Sequence, residues 1–164
     1  MRNRYSAITL LVLVSDLVSK WLASTRLESG GPFEIIPGYL RLSLVHNPGV
    51  AFGFFSAGES AWRPWVLAAM ALAAVVIIFL YSRHMPPGRV LLQSALAITM
   101  GGILGNFTDR IVRGYVVDFI DFHIHDVFYW PTFNIADSAI TIGIALLLID
   151  TVRHPVMEET AEHQ

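Results

Sequence analysis

Asp118 sits in Tyr115-Val-Val-Asp-Phe-Ile120, an acid embedded in an apolar, strand-like run. Surface carboxylates rarely have such neighbours, and burial disfavours their charged form. Asp137 opens a second apolar stretch in Trp130-Pro-Thr-Phe-Asn134-Ile-Ala-Asp137-Ser138. A purely local role would account for it: Asn134 is a natural N-cap, and Asp137 is then the third helical residue, where the helix dipole favours an anion. Together the two acids suggest more. Two carboxylates that meet at a membrane edge can share one proton, because like charges raise one of the two pKa values. One then serves as general base on a water, the other as general acid towards a carbonyl or a leaving amine.

Other polar residues cluster at spacings that need an explanation. Asp16 and Lys20 stand at i, i+4 inside an apolar segment, so a helix puts them on one face with the acid N-terminal to the base. Charges in such a segment are costly and usually face a bundle interior in pairs. A structural ion pair and a substrate-facing role both fit that spacing. His46-Asn47-Pro48-Gly49 is a strong turn signal, in which Asn47 can also present its amide to something bound. In Gly101-Gly102-Ile-Leu-Gly105-Asn106-Phe-Thr-Asp109-Arg110, Gly101 and Gly105 form a small-xxx-small face that admits a close neighbouring helix. Asn106, Asp109 and Arg110 share one helical face at i, i+3 and i+4, which is more polarity than packing requires.

The elements that must carry these residues are apolar spans. Of 164 residues, 54% are hydrophobic and 15% charged, against about 25% charged in an ordinary soluble domain. Four stretches stand out, at about Tyr5–Ala23, Trp65–Tyr81, Val90–Leu104 and Ile135–Ile149. A membrane-crossing helix needs roughly 20 mostly apolar residues. Arg2 and Arg4 ahead of a short apolar core resemble a cleavable leader, but Asp16, Ser19 and Lys20 interrupt the approach to any cleavage site, so the segment reads as a retained span. Arg2 and Arg4, then Arg83, His84 and Arg89, then Arg153 and His154 fall on one side of a four-span chain. By the positive-inside rule that side is cytoplasmic, leaving loops 24–64 and 105–134 outside, although the bias is modest because those loops carry Arg26, Arg41, Arg63, Arg110 and Arg113.

In the first outer loop, Leu40, Leu42 and Leu44 alternate with Tyr39, Arg41 and Ser43, a half-buried strand expected to belong to a small sheet on the membrane surface. Asp121, His123 and His125 alternate likewise, a carboxylate–imidazole pattern that a metal site and a plain amphipathic strand would both show. A net charge of −2 argues against a nucleic-acid partner, and zero cysteines exclude disulfides, thiolate metal sites and cysteine nucleophiles. Residues 1–156 read as a single four-helix membrane domain, and the acidic segment 157–164 as a polar tail expected to be disordered.

In order along the chain, Asp16-Leu-Val-Ser-Lys20, Asn47-Pro-Gly-Val-Ala-Phe-Gly53, Gly101 through Arg110, Val116-Val-Asp-Phe-Ile120 and Phe133-Asn-Ile-Ala-Asp-Ser138 resemble the lipoprotein signal peptidases (signal peptidase II), aspartic peptidases of the bacterial inner membrane. The resemblance covers about residues 5–150. It implies four transmembrane helices with both termini cytoplasmic, a small extracytoplasmic β-cradle, and an amphipathic lid from the first outer loop, for which Phe54–Trp62 is the natural candidate. It implies Asp118 and Asp137 as the catalytic pair, Asn106, Arg110 and Asn134 lining the site with Asp109 close by, and Asp16, Lys20 and Asn47 supporting the substrate cleft. The implied substrate is a prolipoprotein whose cysteine already carries diacylglyceryl, cut on the amino side of that cysteine near the extracytoplasmic face. The implied partners are that signal peptide and membrane lipids; the resemblance requires no metal or organic cofactor.

The rival from another class is a small transporter or proton-relay subunit, since intramembrane acids and lysines also build relays. A relay spreads its polar residues through the membrane depth. Here the second span carries none, and the acids gather near one end of the third and fourth.

Overall fold

The computed structural model describes residues 2–49, 62–85, 88–125 and 127–154. In chain order they form α1 (Arg2–Gly30), β1 (Phe33–Ile36), β2 (Leu40–Asn47), α2 (Arg63–Arg83), α3 (Val90–Arg113), β3 (Val116–Ile124), β4 (Phe128–Tyr129) and α4 (Ile135–Arg153). Among the described residues four helices are long and apolar enough to cross a membrane, in the places the apolar runs predict. The chain is a multi-pass membrane protein.

All four helices outrun their apolar stretches, α1 and α3 by the most. α1 continues past Ala23 to Gly30, and α3 past Leu104 to Arg113. In α3 the polar residues find partners inside the protein, whereas α1 continues because Ala23 and Leu27 bury one side of it under the sheet while Arg26 and Glu28 stay exposed. α3 ends on Gly114 at φ 77°, whose N–H bonds the Arg110 carbonyl at 3.2 Å. Glycine takes that left-handed conformation at little cost. α2 starts with Pro64 in its first turn, where a missing N–H costs nothing.

α3 is the central helix, packed against α1, α2 and α4. Small residues allow this. A Cβ on Gly101 would lie 2.7 Å from the Val12 side chain and 2.8 Å from the Thr9 carbonyl of α1, while one on Gly102 would lie 2.5 Å from the Ala136 carbonyl of α4. The buried apolar side chains are accordingly small, with Ala95, Ala97 and Ala136 fully covered. Large ones such as Leu11, Trp21, Met70, Ile77 and Leu148 point outwards, as lipid contact demands.

The four strands form one antiparallel sheet in the order β1-β2-β3-β4. Its inner part rests on the last turns of α1 through Ala23, Leu27 and Phe119, with Leu42, Leu44, Ile120 and Ile135 packed around them. The outer face pairs Glu34 with Arg41 and Arg41 with Asp121. Arg41 Nε donates to Asp121 Oδ2 at 2.6 Å, and the Ser43 hydroxyl reaches the same oxygen at 3.4 Å.

The alternating acid and histidines therefore part company. His123 Nδ1 lies 3.7 Å from Asp121, but His125 falls beyond the strand at φ 43°, its ring 5.0 Å from that of Tyr39. The expected lid lies outside the described residues except for Trp62, which is exposed ahead of α2, and the segment 157–164 lies outside them too.

Candidate active site

Two backbone features bring the acids together. In the β2–β3 register Val45 faces Asp118 and Asn47 faces Val116, which sets the Asn47 side chain beside Asp118. A bridge between Ile120 and Phe133 then pins the segment before α4 to β3, through Ile120 N–H to the Phe133 carbonyl at 2.8 Å and the return bond at 3.0 Å. The next residue, Asn134, is held against Asp118.

Asn134 is fully buried and serves both acids. Its Nδ2 donates to Asp118 Oδ1 at 2.7 Å. Its Oδ1 accepts the Asp137 N–H at 2.9 Å, and Asp137 Oδ2 accepts the Asn134 N–H at 3.2 Å, a reciprocal cap at the start of α4. The remaining oxygens are also served: Asn47 Nδ2 donates to Asp118 Oδ2 at 2.9 Å, and Asn106 Nδ2 to Asp137 Oδ1 at 2.7 Å. Each of the four carboxylate oxygens thus accepts a hydrogen bond from a described residue.

The N-cap reading of Asn134 and Asp137 and the pairing of Asp137 with Asp118 are the same structure, since one asparagine does both jobs. Asn47 likewise combines two: its Oδ1 closes the turn on the Gly49 N–H at 3.0 Å while its amide nitrogen serves Asp118. Arg110 reaches the carbonyls of Asn106 at 3.3 Å and Gly49 at 3.5 Å, with Asp137 and Asp118 close enough to act on its charge.

Behind the acids lies a buried ion cluster. Lys20 Nζ meets Asp16 Oδ2 at 2.8 Å, Asp109 Oδ2 at 3.0 Å and Asn106 Oδ1 at 2.8 Å, with Lys20 and Asp16 both 0% exposed. Asp109 does not touch either acid of the pair; it bonds Arg113 at 2.7 Å and the Val117 N–H at 3.2 Å. Asp16 accepts the Ala136 N–H at 2.9 Å. The nine residues singled out from the sequence all fall within one network at the end of the bundle that carries the sheet.

These residues belong to a recognisable enzyme. The family described as signal peptidase (SPase) II matches residues 8–153. The chain belongs to the signal peptidase II family. The lipoprotein signal peptidase of Polynucleobacter necessarius is 40% identical over 160 residues, 98% of this chain and 96% of that protein. That of Acinetobacter baylyi is 41% identical over 144 residues, covering 88% and 79%. A bacterial membrane enzyme solved by the in meso method at 2.3 Å resolution superposes with a TM-score of 0.82 at 29% identity, covering 99% of this chain and 95% of that one.

A signal peptidase II is a protease that processes lipoprotein precursors, and the polar network gathers Asp16, Lys20, Asp109, Asp118 and Asp137 at one end of the bundle. Burial pushes the Asp118 carboxyl up to about 6; the Asn47 and Asn134 hydrogen bonds oppose the rise, and the charge of Asp137 adds to it. That shift has a sign. Between pH 3.8 and about 6 the folded protein holds a proton on Asp118 that the unfolded chain releases, so the contribution of Asp118 to stability falls as pH rises through this window. The expected difference is of order 3 kcal/mol at full effect. Thermal unfolding in detergent, compared between wild type and Asp118→Asn, reads it directly: the Asn variant gains on wild type from pH 4 to pH 7, and a flat or opposite difference contradicts the assignment.

Two contacts of the site and one ion pair at the far end of the bundle were not read from the sequence. The Arg113 partner of Asp109 sits one turn on in a helix that continues further than its apolar run, and the Arg89–Asp150 ion pair at the opposite end of the bundle joins residues far apart in the chain. The grip of Asp16 on the Ala136 N–H spans 120 positions. Only the spacing of Asp109 and Arg113 offered a signal, as an i, i+4 pair.

Proposed function

We propose that this signal peptidase II is an aspartic endopeptidase, with Asp118 and Asp137 as the pair that acts on water. The observation that carries the reading is the Asn134 clamp, which holds two carboxyl groups from different elements together at one end of the bundle. The cap at the start of α4 orients Asp137, and Asp118, pushed up to about 6, is poised to take and return a proton near neutral pH. A water between them loses a proton to the ionised acid as its oxygen bonds the scissile carbonyl carbon. The protonated acid gives its proton to the carbonyl oxygen. When the C–N bond breaks, the amine nitrogen takes a proton from the acid that received the water's, and the other acid regains its proton from a hydroxyl of the tetrahedral carbon, which becomes the carboxyl product. Arg110, anchored on two carbonyls beside the pair, supplies positive charge that helps polarise the scissile carbonyl while its oxygen takes up the proton.

The substrate is a prolipoprotein with a diacylglyceryl cysteine, cut on the amino side of that cysteine. A signal helix and two acyl chains need apolar surroundings open to lipid, while the acids need water. A site at the end of a lipid-facing bundle under a small sheet meets both needs. The network lies at the end opposite Arg4, Arg83, Arg89 and Arg153, so the positive-inside rule supports cytoplasmic termini in a bacterial inner membrane and an extracytoplasmic site.

Mass spectrometry of a diacylated prolipoprotein peptide incubated with the protein tests this. Cleavage before the modified cysteine, unaffected by chelators, is expected; ion flux in reconstituted vesicles without cleavage would instead support the relay. Lys20→Ala is expected to weaken processing less than loss of either acid, because Lys20 meets neither of them directly.

A further inference from the structure

Lysine offers three donors and no acceptor. Lys20 spends all three, on Asp16, Asp109 and the Asn106 side-chain oxygen, and is fully buried. It has nothing left for a substrate. Each arm, however, leads back to the two acids. Asp16 holds the N–H of Ala136, the residue before Asp137. Asp109 holds the N–H of Val117, the residue before Asp118. The third arm, Asn106, reaches Asp137 itself at 2.7 Å.

That third arm carries direction as well as position. An amide has an accepting end and a donating end, and turning it over exchanges them. With the Lys20 ammonium 2.8 Å away, only the Asn106 oxygen can face it, since the alternative sets NH2 against NH3+. The nitrogen must then face Asp137. Asn134 Nδ2, 3.3 Å from the same Asn106 oxygen, favours the same orientation more weakly. We propose that Lys20 is a positioning residue that fixes the Asn106 amide with its NH2 towards Asp137, so that the acid meets a donor and not an acceptor. The inference rests on the aspartic reading above.

The charged and titratable groups around this lock are Asp16 on α1, Asp109, Arg110 and Arg113 on α3, Asp118 on β3 and Asp137 on α4. A lysine that only balanced the two acids beside it would affect the fold without acting through Asn106. A double-mutant cycle separates the two roles. Initial rates of diacylated-peptide cleavage are measured for wild type, Lys20→Met, Asn106→Leu and the double variant, each checked for folding by thermal unfolding.

Lys20→Met is expected to lower kcat by about 10- to 100-fold with KM kept within about twofold, less than the roughly 10²- to 10³-fold cost of removing a donor at a reacting group outright, because the amide is misdirected and not lost. The double variant is expected to lose no more than Asn106→Leu alone, because Lys20 has no amide left to orient. Losses that multiply overturn the proposal, as does a KM raised tenfold or more with kcat intact, which would mean contact with substrate. If Lys20→Met does not fold, Asp16→Asn/Lys20→Met, which keeps the net charge, replaces it on both sides of the cycle with the same expectation. Asp118→Asn run alongside separates the two levels: full cleavage by that variant overturns the aspartic reading, whereas its inactivity with multiplicative losses overturns the lysine lock alone.

Discussion

Asp118→Asn and Asp137→Asn each reduce cleavage of a diacylated prolipoprotein peptide by about 10³-fold or more, the scale seen when one member of a catalytic unit is removed. The effect falls on kcat, because the side-chain volume is kept while the proton-accepting oxygen is lost. A second consequence follows from the surroundings. The four oxygens of the pair accept from Asn134 Nδ2, Asn47 Nδ2, Asn106 Nδ2 and the Asn134 N–H. An asparagine at either position must point its own NH2 at one of those donors. Each variant therefore also disturbs one buried hydrogen bond, a cost of about 1–3 kcal/mol. Both should still insert and fold, since the close packing of α3 on α1 and α4 at Gly101 and Gly102 uses backbone and small side chains and neither acid. Full activity in either variant, with folding verified by thermal unfolding, would sink the assignment of the two acids.

Much of this site was legible because a membrane chain is a quiet background. Where charge is expensive, Asp16, Lys20, Asp109, Asp118 and Asp137 each announce a need for partners, and local spacing already joined Asp16 to Lys20 and Asn134 to Asp137. The four spans were legible for the same reason. What could not be read was which partner each group finds. Asn47 and Asp118 meet only through strand register, and Asp118 and Asn134 only through the Ile120–Phe133 bridge. Both depend on sheet pairing between distant segments. The ends of α1 and α3 were missed because hydropathy marks where lipid contact stops, and these helices continue where protein contact takes over. Asp121, His123 and His125 show the converse: their alternation was plain, but the turn at His125, which carries its ring to Tyr39, has no period-2 signature.

Asn134→Ala should be the most damaging change outside the two acids, because a single side chain holds them together. It removes the N-cap of α4, worth about 1 kcal/mol. It also removes the donor to Asp118 and leaves the Asp137 N–H without its acceptor. With Asp118 released from one wall of the site, kcat should fall by about 10²-fold, since small misplacements of reacting groups carry penalties of that order. Asn134→Ser separates the two functions. A serine hydroxyl caps the helix nearly as well but is too short, and has no amide nitrogen, to serve Asp118. Thermal stability should therefore return close to wild type in the serine variant while kcat stays low. If activity returned together with stability, Asn134 would matter only as a cap, and the pair would have to be held by Asn47 and Asn106 alone. If the alanine variant kept full activity, the clamp on which the aspartic reading rests would be dispensable. The fully buried position of Asn134, between β3 and the start of α4, argues that it is not.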